Sequence, residues 1–317
     1  MSDKILITGG LGNLGSWLTR SFCEANYKVT VLSKTNRNIL PQCDFEFISC
    51  DISDAQLCKE VLSTHAFNYV IHAASTNDFF IDNYSDEARR INTDGTFNLL
   101  NALQTDTLKQ FFYLSTFQVY GKFEGLINEE TIPDPQNDYG SSHLKAEDHM
   151  MKFQEDHAIP CAAIRLTNSY GCPVDFNSSK WYLVLNDLAR MAVERKEIVL
   201  KSNGLAPRDF IWMGDVCSVF KELIANDDPI NGVFNLSGES TYTIMDVAEK
   251  VKQAYQKKYS ELVNIVVNPD DTTVYVDDLN VSSQKLKKVV NFQAQDKFME
   301  EALQIFDLVE QQSDKIS

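Results

Sequence analysis

The run Ile5-Leu-Ile-Thr-Gly-Gly-Leu-Gly-Asn-Leu-Gly-Ser-Trp17 constrains the fold more than any other stretch. Gly9, Gly12 and Gly15 fall three apart, between a short apolar run and a segment where Leu14, Trp17, Leu18 and Phe22 recur at helical spacing. Glycine permits the tight turn and lets backbone approach a ligand closely. A helix that starts there offers free N–H groups and a positive dipole end to an anion. Strand, glycine turn and helix in this order predict a dinucleotide pyrophosphate site, with Asn13 and Leu14 in the turn beside the glycines.

The first half of the chain alternates apolar β-rich runs with helical stretches. Strands are expected at residues 4–8, 28–32, 45–49, 69–73, 111–115 and 161–166, and helices at 13–26 and 92–103. That alternation calls for right-handed crossovers and an α/β fold: a Rossmann-type, doubly wound parallel sheet covered on both faces. After about Gly171 the pattern weakens, with helices expected at 182–195, 245–255 and 296–309 and strands at 198–201 and 263–267. The expected division is a dinucleotide-binding domain over residues 1–170, with return segments near 208–240. A smaller, interleaved substrate-binding region would span 171–317.

Charge narrows the partners. Forty-five acidic against 29 basic residues give a formal net charge of −16, which repels nucleic acid and anionic membrane surfaces. The seven cysteines include no Cys-x-x-Cys pair and read as free thiols. His149 and His157 are too far apart for a His-Glu-x-x-His metal motif, so no metal is expected. No stretch reads as a signal peptide or a membrane span, and the expected location is the cytoplasm.

Sites that prefer NAD place an acid at the end of the second strand, for the ribose 2′-hydroxyl. Here that segment reads Val29-Thr-Val-Leu-Ser33-Lys34-Thr-Asn-Arg37. Ser33 offers a hydrogen bond to a 2′-phosphate, and Lys34 and Arg37 offer charge. The expectation is NADP(H), with NAD(H) possible.

Further motifs resemble the extended short-chain dehydrogenases/reductases, the NAD(P)-dependent nucleotide-sugar epimerase/dehydratase family, from about Lys4 to Val309. Cys50-Asp51-Ile52 is similar to that family's adenine-binding step. Val70-Ile-His-Ala73-Ala74 is similar to its fourth-strand segment along the cofactor. Asn92-Thr-Asp-Gly-Thr-Phe-Asn-Leu-Leu resembles its Asn-x-x-Gly-Thr-x-Asn-Leu-Leu helix. Arg165-Leu-Thr-Asn168-Ser-Tyr-Gly171 and Arg208-Asp-Phe-Ile-Trp-Met-Gly-Asp-Val resemble two segments whose Asn and Arg contact the nucleotide sugar and its phosphate. By this resemblance Asp51, Ile52, Ala73, Ala74 and Asn92 serve the cofactor, and Asn168 and Arg208 the substrate. Asn77 and Trp181 fall in segments expected to border the substrate, Trp181 by stacking or as core.

The resemblance also implies the catalytic set. Thr116, in Ser115-Thr-Phe-Gln-Val-Tyr-Gly121, falls on the family's Ser/Thr position. Tyr139, in Tyr139-Gly-Ser-Ser-His143-Leu-Lys145, falls on the proton-transferring tyrosine. The family's lysine, which binds the nicotinamide ribose and depresses the tyrosine pKa, is replaced by His143. At about 100° per residue, His143 lies about 40° around a helix from Tyr139 and Lys145 about 120°, so Lys145 is not the partner. An imidazole starts about four pKa units below lysine, so its charge assistance is expected to be weaker and pH-dependent.

In the family's 4,6-dehydratases an Asp-Glu pair follows the Thr; here Phe117 and Gln118 stand there, and neither is an acid or base. The expected activity is a 4-ketoreductase or epimerase of a nucleotide-linked sugar in surface-polysaccharide synthesis. The alternative is a non-catalytic dinucleotide-binding sensor or scaffold. A homodimer through the helices around 92–103 and 139–157 is expected by analogy. The stretch 270–278 lacks the basic residue that usually supplies a second phosphate contact.

Overall fold

The computed structural model describes residues 3–76, 84–226, 228–276 and 278–316; the candidate residue Asn77 lies outside them. Seven strands form one wholly parallel sheet: β1 (Lys4–Thr8), β2 (Lys28–Ser33), β3 (Glu46–Ser49), β4 (Tyr69–His72), β5 (Gln110–Thr116), β6 (Cys161–Leu166) and β7 (Gly232–Leu236). The order across the sheet is β7-β6-β5-β4-β1-β2-β3. Chain order reverses between β1 and β4, the place where such sheets open a crevice beyond their carboxyl ends.

Burial follows from the pleat. Ile5, Leu6 and Ile7 are all inaccessible to solvent, as a central parallel strand requires. Ile5 and Ile7 join Val29, Val31, Ile71 and Phe112 on one face, against Leu18 and Phe22 of helix α1 (Asn13–Glu24). Leu6 joins Val70, Phe111 and Tyr113 on the other face, against α2 (Ala55–Leu62), α3 and α4 (Asp138–His157). Helix α3 is compound: an α segment Tyr84–Ala88, a π segment Arg89–Asp94 and an α segment Gly95–Ala102. The expected helix at 92–103 is its second half. Helix α1 stops two residues before the expected end, where Asn26 turns left-handed at φ 60°.

Beyond β6 the chain builds a further core from α5 (Val184–Arg195), α7 (Ile244–Tyr259) and α8 (Phe298–Ile316). Helix α6 (Met213–Ala225) instead covers the main sheet beside α1, supplying Val216 and Phe220 to that core. The strands expected at 198–201 and 263–267 form as Glu197–Val199 and Asn264–Val266, paired with each other in parallel. No helix among the described residues is long and apolar enough to cross a membrane.

Candidate active site

The glycine turn is closed by its own backbone. Gly9 sits at φ +64°, and the Gly12 N–H donates to the Gly9 carbonyl at 2.8 Å. A Cβ on Gly9 would lie 2.7 Å from the Ala74 Cα; one on Gly15 would lie 2.0 Å from the Gly9 oxygen. Gly12 caps α1 with no side-chain acceptor, and no acid occupies the first turn. Its first N–H groups therefore face the cleft without an internal anion, as a pyrophosphate cradle needs.

A cleft of about 640 Å³ opens at the carboxyl ends of the strands. Of the sequence candidates, Gly9, Gly12, Asn13, Leu14, Gly15, Ser33, Lys34, Arg37, Asp51, Ile52, Ala73, Ala74, Thr116, Tyr139 and Asn168 line it. The residues present fit a dinucleotide: a glycine cradle, a ribose-side polar edge at Ser33 and Asp51, and a Thr–Tyr pair at the far end.

The basic residues at the edge of β2 are not free charges. Lys34 Nζ lies 3.1 Å from Asp51, and Arg37 is hydrogen-bonded and ion-paired to Asp175. Burial pushes the Asp51 carboxyl up, but bonds from the Ser53 hydroxyl and N–H and from Lys34 outweigh it and hold the pKa at about 2. Arg90 also lies 3.7 Å from Asp51 and is paired with Glu87, so three cations and three carboxylates meet at this edge. That balance leaves no excess of positive charge to favour a 2′-phosphate.

Thr116 ends β5, and Tyr139 is the second residue of α4, whose N-cap Asn137 accepts from the Gly140 N–H at 2.8 Å. Both side chains line the same cleft. Desolvation pushes the Tyr139 phenol up to about 12, with the Thr116 hydroxyl opposing. The sequence reading missed Asn137, whose amide donates to Gln118 Oε1 at 2.9 Å and ties the start of α4 to the cleft wall. An Asn one residue before a helix that opens on the reacting tyrosine was the available signal.

His143 lies one turn below Tyr139, their ring centroids 4.5 Å apart. It is buried, at 1% exposure, and does not line the cleft. Burial pushes its pKa down to about 3. The expected pH-dependent charge is therefore corrected: the ring stays neutral throughout the physiological range. Lys145 is exposed, as its helical angle required.

Other candidates sit at the margins or behind the wall. Asn92 is buried; its amide accepts from the Thr76 N–H and donates to the Thr76 carbonyl and to Ser142 Oγ. It braces the backbone next to Ser75, which lines the cleft. Asn168 and Arg208 share an adjoining cavity of about 60 Å³. Arg208 donates to the Pro207 carbonyl and lies over Phe123; burial pushes its pKa down, and no carboxylate pairs with it among the described residues. Trp181 is core rather than wall: it packs with Phe176, donates to the Phe176 carbonyl at 2.8 Å and lines neither cavity. Its neighbours Lys180 and Tyr182 line the cleft instead, because the tight 3₁₀ turn points successive side chains apart.

One buried ion pair backs the site. Arg165 grips Glu147 of α4 through Nε at 2.9 Å and Nη2 at 2.6 Å, and Ser115 Oγ donates to the same carboxylate at 2.5 Å. This clamp fixes the Tyr139 helix against β5 and β6.

Residues 5–237 of the chain match the model of the NAD dependent epimerase/dehydratase family. The dTDP-D-glucose 4,6-dehydratase of Dictyostelium discoideum is 28% identical over 278 residues, covering 78% of this chain and 61% of that protein. The human dTDP-D-glucose 4,6-dehydratase is 25% identical over 272 residues, covering 82% of this chain and 76% of that protein. Among solved structures, the UDP-glucuronic acid 4-epimerase from Bacillus cereus, in complex with UDP-glucuronic acid and NAD, superposes with TM-score 0.80 at 20% identity. The match covers 98% of this chain and 99% of that one. The UDP-glucose 4-epimerase from Bifidobacterium longum, in complex with NAD+ and UDP, gives TM-score 0.81 at 19% identity, with the same coverage of both chains. At these identities the structural likeness is one of fold.

Proposed function

Because this chain belongs to the NAD-dependent epimerase/dehydratase family, we propose that it is a nucleotide-sugar ketoreductase or epimerase, with NAD(H) held by the glycine turn. The observation that carries the reading is that Thr116 and Tyr139 together line a cleft that also contains that turn. When bound, the nicotinamide supplies the hydride chemistry. Thr116 and Tyr139 hold a sugar oxygen between two hydroxyls. Tyr139, desolvated, is protonated at neutral pH. It is therefore poised to give a proton to an oxygen gaining charge, which is the reductive direction. Epimerisation also requires the reverse transfer.

Dehydration is disfavoured despite the 4,6-dehydratase relatives. Phe117 is packed in a small apolar cluster with Val119, Tyr120 and Ile127, and Gln118 is engaged with Asn137. Neither supplies the acid or base needed to expel water. Asn168, Arg208 and Lys180, which line the cleft or its adjoining cavity, are the groups this reading assigns to the nucleotide and its phosphates. The neutral edge around Lys34, Arg37, Asp51 and Asp175 supports NAD(H) over the NADP(H) expected from sequence.

The test is a panel of 4-keto nucleotide sugars assayed by NADH and NADPH consumption, with fluorescence titration of both cofactors. Tyr139→Phe should lower turnover by roughly 10²–10⁴-fold while cofactor affinity stays within about twofold. Full turnover in that variant removes Tyr139 from the chemistry. Cofactor binding without turnover of any substrate, in wild type, favours the sensor.

A further inference from the structure

All seven cysteines are free thiols, and two of them meet in the wall of the cleft. Cys50 follows β3 directly, and its backbone N–H donates to the Ser33 carbonyl at 3.1 Å. Cys58 is the fourth residue of α2. Their sulfurs lie 3.6 Å apart, with Cys50 at 2% exposure and Cys58 at 0%. Among the described residues Cys50 is the one cysteine that lines the cleft, beside Asp51 and Ile52. A small solute in the cleft reaches Cys50, and Cys58 waits behind it.

The two thiols are not equivalent. The Cys58 thiol, hydrogen-bonded to Cys50, lowers the Cys50 pKa against burial and the charges of Asp51 and Asp54. The same contact, together with burial, pushes the Cys58 pKa up. A thiolate attacks electrophiles and a thiol does not. The pair therefore divides into an attacking sulfur in the cleft and a resolving sulfur next to it, as in thiols that oxidise reversibly.

The chain between the two sulfurs belongs to the cleft wall. Asp51 and Ile52 line the cleft. The Asp54 N–H donates to the Asp51 carbonyl at 2.9 Å, and the Asp54 carboxylate caps α2 by accepting from the Leu57 N–H at 3.0 Å. Cys58 Sγ lies 3.5 Å from the Ile52 carbonyl that it faces. A disulfide holds its sulfurs about 2.05 Å apart, so these two must close by roughly 1.5 Å. Asp51 and Ile52 lie inside the loop that this bond closes, and they move with it.

We propose that Cys50 and Cys58 form an oxidation site that reacts with a peroxide in the cleft and closes to a disulfide, weakening cofactor binding. The Cys50 sulfur attacks one peroxide oxygen: the S–O bond forms, the O–O bond breaks, and the departing hydroxide takes up a proton to leave as water. The Cys58 sulfur then attacks Cys50 Sγ: the S–S bond forms, the S–O bond breaks, and hydroxide leaves with the Cys58 proton as water. Two electrons pass from the sulfurs to the peroxide. A dithiol reductant returns them and reopens the bond. The effect on the cofactor rests on the reading of the cleft as a dinucleotide site; the thiol chemistry does not.

The test exposes the reduced full chain to hydrogen peroxide at pH 7, alkylates the remaining thiols in denaturant and reads each cysteine by mass spectrometry. Cys50 and Cys58 should lose alkylation together and regain it after dithiothreitol. Bound NADH should slow that loss. The NADH Kd of the oxidised protein should rise about 5-fold, the worth of one ordinary hydrogen bond, and return with the reductant. Cys50 and Cys58 still fully alkylated when the more exposed Cys23 or Cys43 has oxidised overturns the site. In Cys58→Ser, Cys50 should stop at the sulfenic acid and be trapped by dimedone; no adduct there overturns the order of attack. If that variant fails to fold, the wild-type alkylation pattern still decides. A disulfide with unchanged NADH affinity overturns the effect on the cofactor. Reduced protein that binds no NADH overturns the dinucleotide reading, while the thiol site stands.

Discussion

Lowering the pH from 7 to 5 should destabilise this protein through two rings that touch the site from below. Burial depresses the pKa of both His72 and His143 from 6.5 to about 3. The folded pKa lies below the unfolded one, so the unfolded chain takes up the proton first. The stability is present above pH 6.5 and is lost as pH falls toward 3. Linkage gives a loss of about 2 kcal/mol per ring between pH 7 and 5, or about 4 kcal/mol for the pair. Asp209 works the other way. Burial, opposed by bonds from Thr167, Gly238 and Ser240, raises its carboxyl from 3.8 to about 6, so its protonation favours the folded state as pH falls. It returns about 1 kcal/mol over the same interval, leaving a net loss of about 3 kcal/mol. That is a large share of the roughly 5–15 kcal/mol that holds most domains folded. The assay is urea unfolding at pH 7 and pH 5 at one ionic strength, for wild type and His143→Gln. The variant should lose about 2 kcal/mol less than wild type across the interval, whatever its stability at pH 7. Equal losses in the two proteins would refute the claim that His143 is buried and neutral.

The remaining predictions bear on the cradle and on the clamp behind it. Gly15→Ala places a Cβ against the Gly9 oxygen and should abolish NADH binding, measured by fluorescence titration, by opening the turn. Retained affinity in a folded Gly15→Ala protein would separate the turn from the cofactor. Glu147→Gln leaves Arg165 buried without its carboxylate and should cost roughly 3–5 kcal/mol in denaturant unfolding. A change under about 1 kcal/mol would show that solvent reaches the pair.

The local sequence determined the parallel sheet and the cradle, because both are written in short-range chemistry. Continuous apolar runs such as Ile5-Leu-Ile fit only strands covered on two faces. Three glycines between a strand and a helix fit only a turn that excludes side chains. The spacing of Tyr139 and His143 alone puts them on one helix face, and the motif order places Thr116 at the end of β5.

What the tertiary structure decided was the state of those groups. The partners that set it come from strands and helices far apart in sequence. Lys34 and Arg37 read as free cations until Asp51 and Asp175 were found beside them. Trp181 read as a candidate stacking residue until Phe176 and α5 closed around it. His143 read as a weaker lysine until β4, β5 and α3 buried it next to Tyr113, where desolvation removes the charge. Charge and exposure are properties of an environment, and this environment exists only once the sheet and its helices have assembled.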